Sequence, residues 1–268
     1  MHAGAILLNT ARIEAWPGGL LRAHGNHDAR LLARASHVLR RKRDGCYLAV
    51  EIDGTLQPLR PGLARETGMD EVRASLAHSR SHRRAGIESV PTLPLDRLHE
   101  RLDQLGLDAG RYASRSGLAL VPEPAWLALA GFDRYRRALW LRTDAARAWT
   151  SMQADAIDAG VVLEAISGYR SHDYQLGIFE RKLARGVGLD AILTVNAAPG
   201  YSEHHGGLAL DIGTPGEPAA EESFEKTPAF VWLRDNAGGH GFTMSYPRGN
   251  RHGIAYEPWH WAYAPERA

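Results

Sequence analysis

The run Leu208-Ala209-Leu210-Asp211-Ile212 is entered through two consecutive glycines, Gly206 and Gly207, and nothing else in the chain constrains its fold as tightly. The run is too short for a helix, and its alternation is that of a strand. Successive strand side chains point to opposite faces, so Ala209 and Asp211 share one face while Leu208 and Leu210 share the other. The leucines belong against a core, and the small alanine leaves room beside the carboxylate. The glycines let the backbone turn sharply just before the strand and approach another group closely. His204 lies immediately upstream, so a loop and a strand can bring it and Asp211 together.

Around this segment, helical and strand patterns mix without a regular βαβ rhythm, which is the signature of an α+β chain. Pro94–Leu105 is an amphipathic helix carrying Leu98, Leu102 and Leu105. Thr143–Ala159 is a helix with Thr143 as N-cap, an apolar stripe of Ala146, Trp149, Met152 and Ile157, and Gly160 as its stop. A strand over Val161–Ile166, a helix over Ser171–Arg185, a helix over Pro228–Asn236 and a closing strand over Glu257–Tyr263 follow. Upstream, periodicity predicts a helix over Asp28–Arg43, entered from the turn Gly25-Asn26-His27-Asp28 with Asp28 as cap. The basic run Arg40-Arg41-Lys42-Arg43 would be its solvated C-terminal end. Cys46–Ile52 reads as a strand ending at the turn Asp53-Gly54, with Cys46 packed as a small apolar residue, and Asp70–His82 as a helix. Ala85–Pro94 has the composition of a linker. The expected division is a smaller mixed N-terminal domain over 1–92, of unknown role, and a second domain over 93–268.

At 268 residues the chain can bury a core without disulfides, and its single cysteine, Cys46, cannot form one internally. A net charge of +1 argues against a dedicated nucleic-acid binder. No apolar stretch reaches the length of a membrane span. Met1–Asn9 lacks the basic start and the apolar length of a secretory signal, so the sequence points to the cytoplasm. It gives no oligomeric state.

A catalytic zinc ion takes three protein ligands from His, Asp, Glu and Cys, and keeps one position open. Such residues occur in Ser202–Asp211 and again in Glu257-Pro258-Trp259-His260. An ideal strand would send Glu257 and His260 to opposite faces. Pro258 cannot donate to a sheet ladder, so a bulge or strand start is expected there, and it would bring both side chains to one place.

Taken together, these segments resemble the vancomycin-resistance-type D-alanyl-D-alanine carboxypeptidases, zinc peptidases of the LAS type that act on cell-wall peptides. The family pattern S-x-H, G-x-A-x-D, E-x-W-H is matched in order by Ser202, His204, Gly207, Ala209, Asp211, Glu257, Trp259 and His260. Ser167-Gly168-Tyr169-Arg170-Ser171 with Gln175, and Gly241-Phe242 followed by Ser245-Tyr246-Pro247, add to the likeness, which covers roughly residues 110–268. The resemblance implies a small antiparallel sheet flanked by helices, LAS or hedgehog-like, with zinc on His204, Asp211 and His260. Glu257 would move the proton. Arg170 would stabilise the scissile carbonyl oxygen or grip a substrate carboxylate. Ser202, Gln175, Tyr169 and Trp259 would contact substrate.

The implied partners are peptidoglycan-derived peptides ending in D-alanine, a substrate class found in the periplasm or cell wall. That location stands against the missing signal. An L,D-carboxypeptidase acting on tetrapeptide stems fits the same motifs. So do a dipeptidase for free D-Ala-D-Ala, an endopeptidase with a more open groove, and a zinc-binding module without catalysis. The N-terminal region could instead carry the function by binding cell-wall polymer or a protein. His205 reads as an outer neighbour of the ligands or as exposed; His172, His240 and His252 read as solvated or rim residues. Trp259 and Trp261 read as packing and pocket wall.

Overall fold

In the computed structural model, residues 4–81, 90–95 and 97–264 are described. The chain forms two compact units that interleave in sequence: residues 1–94 with 124–129, and residues 95–123 with 130–268. The first half of the expected linker, residues 85–89, lies outside the described residues.

The first unit is a meander. Strands β1 (Ile6–Asn9) and β2 (Ile13–Pro17) are followed by helix α1 (Asn26–Leu32), strands β3 (His37–Arg41), β4 (Tyr47–Ile52) and β5 (Thr55–Pro58), and helix α2 (Met69–Ser81). The strands pair antiparallel in the order β5-β4-β3-β2-β1, and residues 126–129 return to pair with β1, Leu7 opposite Leu127. Asp53 and Gly54 both take positive φ between β4 and β5, as a tight hairpin turn requires. Leu8, Ile13, Leu39, Ala49, Val72 and Leu76 form a core between the sheet and α2.

The helix expected over Asp28–Arg43 is corrected here. It stops at Leu32, its N-cap is Gly25, and His37–Arg41 is a central strand, with Val38 opposite both Trp16 and Val50. Ladder bonds on both sides and burial of Val38 and Leu39 outweigh a local helical period that was only a weak prior. The basic run is therefore not a solvated helix end. Arg40 pairs with Glu14 at 2.9 Å, and Arg41 with Asp44 at 2.7 Å and Glu66 at 2.8 Å. Cys46 precedes β4, half-buried against the core, as a small apolar residue would be.

The second unit opens with α3 (Leu98–Gln104) and α4 (Ala109–Ser116). Strand β6 (Trp126–Phe132) carries the chain onward, and β7 (Ala138–Leu141) and α5 (Thr143–Asp158) follow. Next come β8 (Glu164–Ser167), α6 (His172–Leu183), α7 (Leu189–Leu193), β9 (Ala209–Gly213), α8 (Pro228–Asn236), β10 (Phe242–Met244) and β11 (His260–Tyr263). The last strands form an antiparallel sheet in the order β10-β11-β9-β8. With helices packed beside antiparallel sheets, the chain is α+β.

Helix α5 buries Ala145, Trp149, Met152 and Ala156, one stripe at helical spacing. Thr143 is its first residue rather than its cap, and Ile157, expected on the stripe, is 61% exposed. Helix α6 starts as expected, with the Ser171 side chain accepting from the Tyr174 amide. Helices α3, α4, α6 and α7 share a core of Leu98, Leu102, Tyr112, Phe179, Ile192 and Tyr201. No described helix is long and apolar enough to cross a membrane.

Candidate active site

Asp211 on β9 and His260 on β11 are directly opposite in the antiparallel ladder, with Ala209 opposite Ala262 as the next pair on the same face. Directly opposed residues share a face of the sheet and hold their Cβ atoms about 5 Å apart, which brings a carboxylate and an imidazole together. On the other side of β9, β8 breaks register between Ala165 and Ser167 and leaves the sheet through Gly168. A Cβ at Gly168 would lie 2.7 Å from Leu139 Cδ1 and 3.0 Å from the Trp140 carbonyl, so only glycine lets the chain pass there unshifted.

His204 sits in the short turn Glu203–Gly206, closed by Gly207 at φ 66°. Its Nδ1 donates to the Gly168 carbonyl at 2.7 Å, which leaves Nε2 facing Asp211 Oδ1 at 3.2 Å. His260 is the mirror case. Its Nε2 faces Glu203 Oε2 at 2.8 Å, and its Nδ1 lies 3.1 Å from the same Asp211 oxygen. One donor atom from each of His204, Asp211 and His260 lies within 4.8 Å of the others, and all three residues are buried. Each ring thus aims a nitrogen inward while the other nitrogen is held from behind, the arrangement that orients histidines for a metal. Two imidazoles and one carboxylate are a donor set suited to zinc, so these residues fit the ion that the resemblance implies.

Glu257 ends up beside this cluster because β11 begins only at His260. The His260 amide donates to the Glu257 carbonyl at 3.1 Å across the Pro258 turn, and Glu257 Oε2 comes within 4.0 Å of His260 Nδ1. The strand expected from Glu257 is shorter than that: Pro258 and Trp259 form a turn, neither a bulge nor a strand start, and the ladder begins at His260. Arg170 approaches from the loop between β8 and α6, its Nη2 3.7 Å from Asp211 Oδ2. Its Nε is buried with no hydrogen-bond partner among the described residues.

The electrostatics divide these groups sharply. Burial, helped by the nearby Arg170, lowers His204 to about 4 and keeps it neutral. Burial also opposes charge on His260, but its bonds to Asp211 and Glu203 outweigh that and raise it to about 10. Burial alone would raise Asp211; His204, His260 and Arg170 instead hold it well below the usual carboxylate range. Glu257, whose burial is not offset in the same way, is pushed up to about 7.

A family description, VanY, D-alanyl-D-alanine carboxypeptidase, matches residues 138–266. Over 147 residues the chain is 30% identical to the bifunctional D-Ala-D-Ala dipeptidase and D-Ala-D-Ala carboxypeptidase VanXYC of Enterococcus gallinarum, covering 53% of this chain and 75% of that one. The chain belongs to the VanY-type carboxypeptidase family. YodJ of Bacillus subtilis (strain 168) is 37% identical over 141 residues, 51% of each chain. A vancomycin-resistance D,D-pentapeptidase VanY solved with Zn(II) is 29% identical, with a TM-score of 0.40, covering 47% of this chain and 73% of that one. The chain spans about half the length of YodJ, and less of the Enterococcus faecium D-alanyl-D-alanine carboxypeptidase, 40%.

In this VanY-type chain, His204, Asp211, His260, Glu257 and Arg170 gather in one place, with Ser202 at the start of the His204 turn and Trp259 half-buried in the Pro258 turn. Trp261 is buried, as expected. Tyr169 and Gln175 are turned to structural partners. The Tyr169 hydroxyl donates to Glu123 at 2.5 Å, and the buried Gln175 amide donates to the Ala197 carbonyl at 2.9 Å. His172, expected to be solvated or at the rim, is 3% exposed and packs on His205; this is a correction, because its amide and ring both lie against the Val121–Glu123 stretch. Neither Glu203 nor Glu123 belongs to a motif that assigns it a role from sequence. Glu203 stood inside the Ser202–Asp211 segment, and only its contact with His260 marks it out.

Proposed function

We propose that the chain is a zinc-dependent carboxypeptidase that removes the terminal D-alanine of peptidoglycan-derived peptides. The observation that carries the reading is the convergence of the His204, Asp211 and His260 donor atoms within 4.8 Å, with Glu257 and Arg170 at their side. Family membership supports it, as does the named activity of the VanXYC relative.

His204 through Nε2, Asp211 through its carboxylate and His260 through Nδ1 would hold the zinc. When bound, zinc polarises a carbonyl oxygen and lowers the pKa of water to about 7. Glu257 takes a proton from the attacking water at its carboxylate and returns it to the leaving amine nitrogen. Arg170 offers its unused Nε and terminal N–H groups to the carbonyl oxygen as charge grows there, or to the substrate carboxylate. Ser202 and Trp259 remain for direct substrate contact, while Tyr169 ties the residue before Arg170 to Glu123 and Gln175 holds the Ala197 carbonyl.

The test is D-alanine release from pentapeptide and tetrapeptide muropeptides by the zinc-loaded protein and by Glu257→Ala. Release from pentapeptide that disappears in the variant supports the reading. Release from tetrapeptide alone moves the substrate to an L,D-bond and keeps the chemistry. No release from either, with zinc bound, overturns it.

A further inference from the structure

His205 takes no part in the steps above, yet its ring is fully buried beside the site. Its Nδ1 lies 2.6 Å from the Arg170 carbonyl oxygen, and its Nε2 lies 3.1 Å from the Gly200 amide nitrogen. A carbonyl only accepts and a backbone N–H only donates. The ring therefore carries its proton on Nδ1 and a lone pair on Nε2, which is one tautomer of the neutral imidazole.

The Arg170 amide in turn donates to the His204 carbonyl at 3.2 Å, and His204 Nδ1 donates to Gly168. Both peptide groups of Arg170 are thus held by two consecutive residues, one of which faces the metal site. The neighbours are fixed independently: the Tyr169 hydroxyl and the His172 amide both donate to Glu123. His172 meets the His205 ring edge-to-face at 4.3 Å between centroids, and its own Nε2 donates to Val121. The His205 ring cannot rotate without breaking that packing.

We infer that His205 is a positioning residue for Arg170, clasping the Arg170 carbonyl to the Gly200 loop so that the guanidinium reaches the site from a fixed backbone. The kinetic part of this rests on the carboxypeptidase reading; the geometric part does not. The chemistry required at position 205 is one donor and one acceptor on a buried planar group, not a charge.

The experiment compares His205→Phe, which keeps the ring and removes both nitrogens, with His205→Gln, whose amide can donate and accept. It uses the full-length, zinc-loaded protein. Three readouts are taken: kcat and KM for D-alanine release from a pentapeptide, zinc affinity by chelator competition, and the NMR resonance of Arg170 Nε, assigned through Arg170→Lys. His205→Phe is expected to lower kcat about 100-fold, the effect of a misplacement of about 1 Å, with zinc affinity unchanged and the Arg170 resonance moved. His205→Gln is expected to restore most of both, and His205→Phe added to Arg170→Ala should cost nothing further. Should His205→Phe not fold, His205→Asn, too short to satisfy both partners, takes its place with the same expectation.

A loss that follows zinc content or folded fraction, an equal loss in the Arg170→Ala background, or an unmoved Arg170 resonance would overturn the assignment. If the wild type releases no D-alanine but the resonance moves in His205→Phe and returns in His205→Gln, the activity reading fails and the positioning role stands.

Discussion

Glu203 Oε2 lies 2.8 Å from Nε2 of His260, so the carboxylate beside one proposed ligand orients the other ligand across the site. Burial alone would raise Glu203, but His260 and the hydroxyl of Ser245 outweigh it and keep the carboxyl ionised. With its Nε2 proton engaged, His260 presents Nδ1 inward. Glu203→Ala should weaken zinc binding by about 10- to 100-fold, the usual cost of losing such a partner. Chelator competition measures it, and D-alanine release should recover at saturating zinc. Unchanged affinity would remove Glu203 from this role.

Glu257→Gln keeps the shape of the side chain and removes its ability to carry a proton. Rate should fall by about 10²–10⁴-fold, the range for losing a general base, while zinc content stays at the wild-type level. Metal analysis alongside turnover separates the two. Loss of zinc in this variant would make Glu257 a ligand instead.

Zinc removal should lower the melting temperature as well as abolish turnover, because an ion that binds only the folded donor set stabilises it. The gain is about 2.7 kcal/mol at a free zinc concentration 100 times Kd. Thermal melts with chelator and with added zinc check this. Coincident melts would mean that the three donors do not hold the ion.

Away from the site, Arg101 on α3 pairs with Asp173 on α6, Nε to Oδ1 at 2.6 Å, with both side chains buried. Arg101→Ala strands a buried carboxylate and should cost about 3–5 kcal/mol in urea unfolding, less whatever Arg97, 3.8 Å from the same group, recovers. The double variant Arg101→Met with Asp173→Leu should cost less than the single. A single variant as stable as the wild type would show the pair to be well hydrated.

The exposed Ile157 and the buried Trp149 make an internal control on helix α5. Ile157→Lys should change stability by no more than about 0.5 kcal/mol. Trp149→Ala should cost about 3–5 kcal/mol. Equal effects in chemical denaturation would contradict the stripe that α5 buries.

What the sequence by itself determined is chemical and local. The alternation of Leu208–Ile212 behind two glycines set the strand that carries Asp211, and Pro258 marked the interruption, a turn ahead of His260, that lets Glu257 and His260 share a site. Ordered motifs identified the family, and helical periods located α2, α5, α6 and α8 closely; the helix expected over Pro94–Leu105 begins only at Leu98. Each of these signals is local in sequence, carried by one strand, one helix or one short motif. The tertiary structure decided what local periodicity does not encode: that Val38 and Leu39 belong to a central strand, because strands on both sides supply ladder bonds. It decided also that Glu203 meets His260 across 57 positions, that Glu123 and His205 clasp the segment around Arg170, and that His172 is buried. Those pairings depend on which loops the sheet register and the close passage at Gly168 bring face to face, and a carboxylate or imidazole acquires its role only from the partner that packing sets against it.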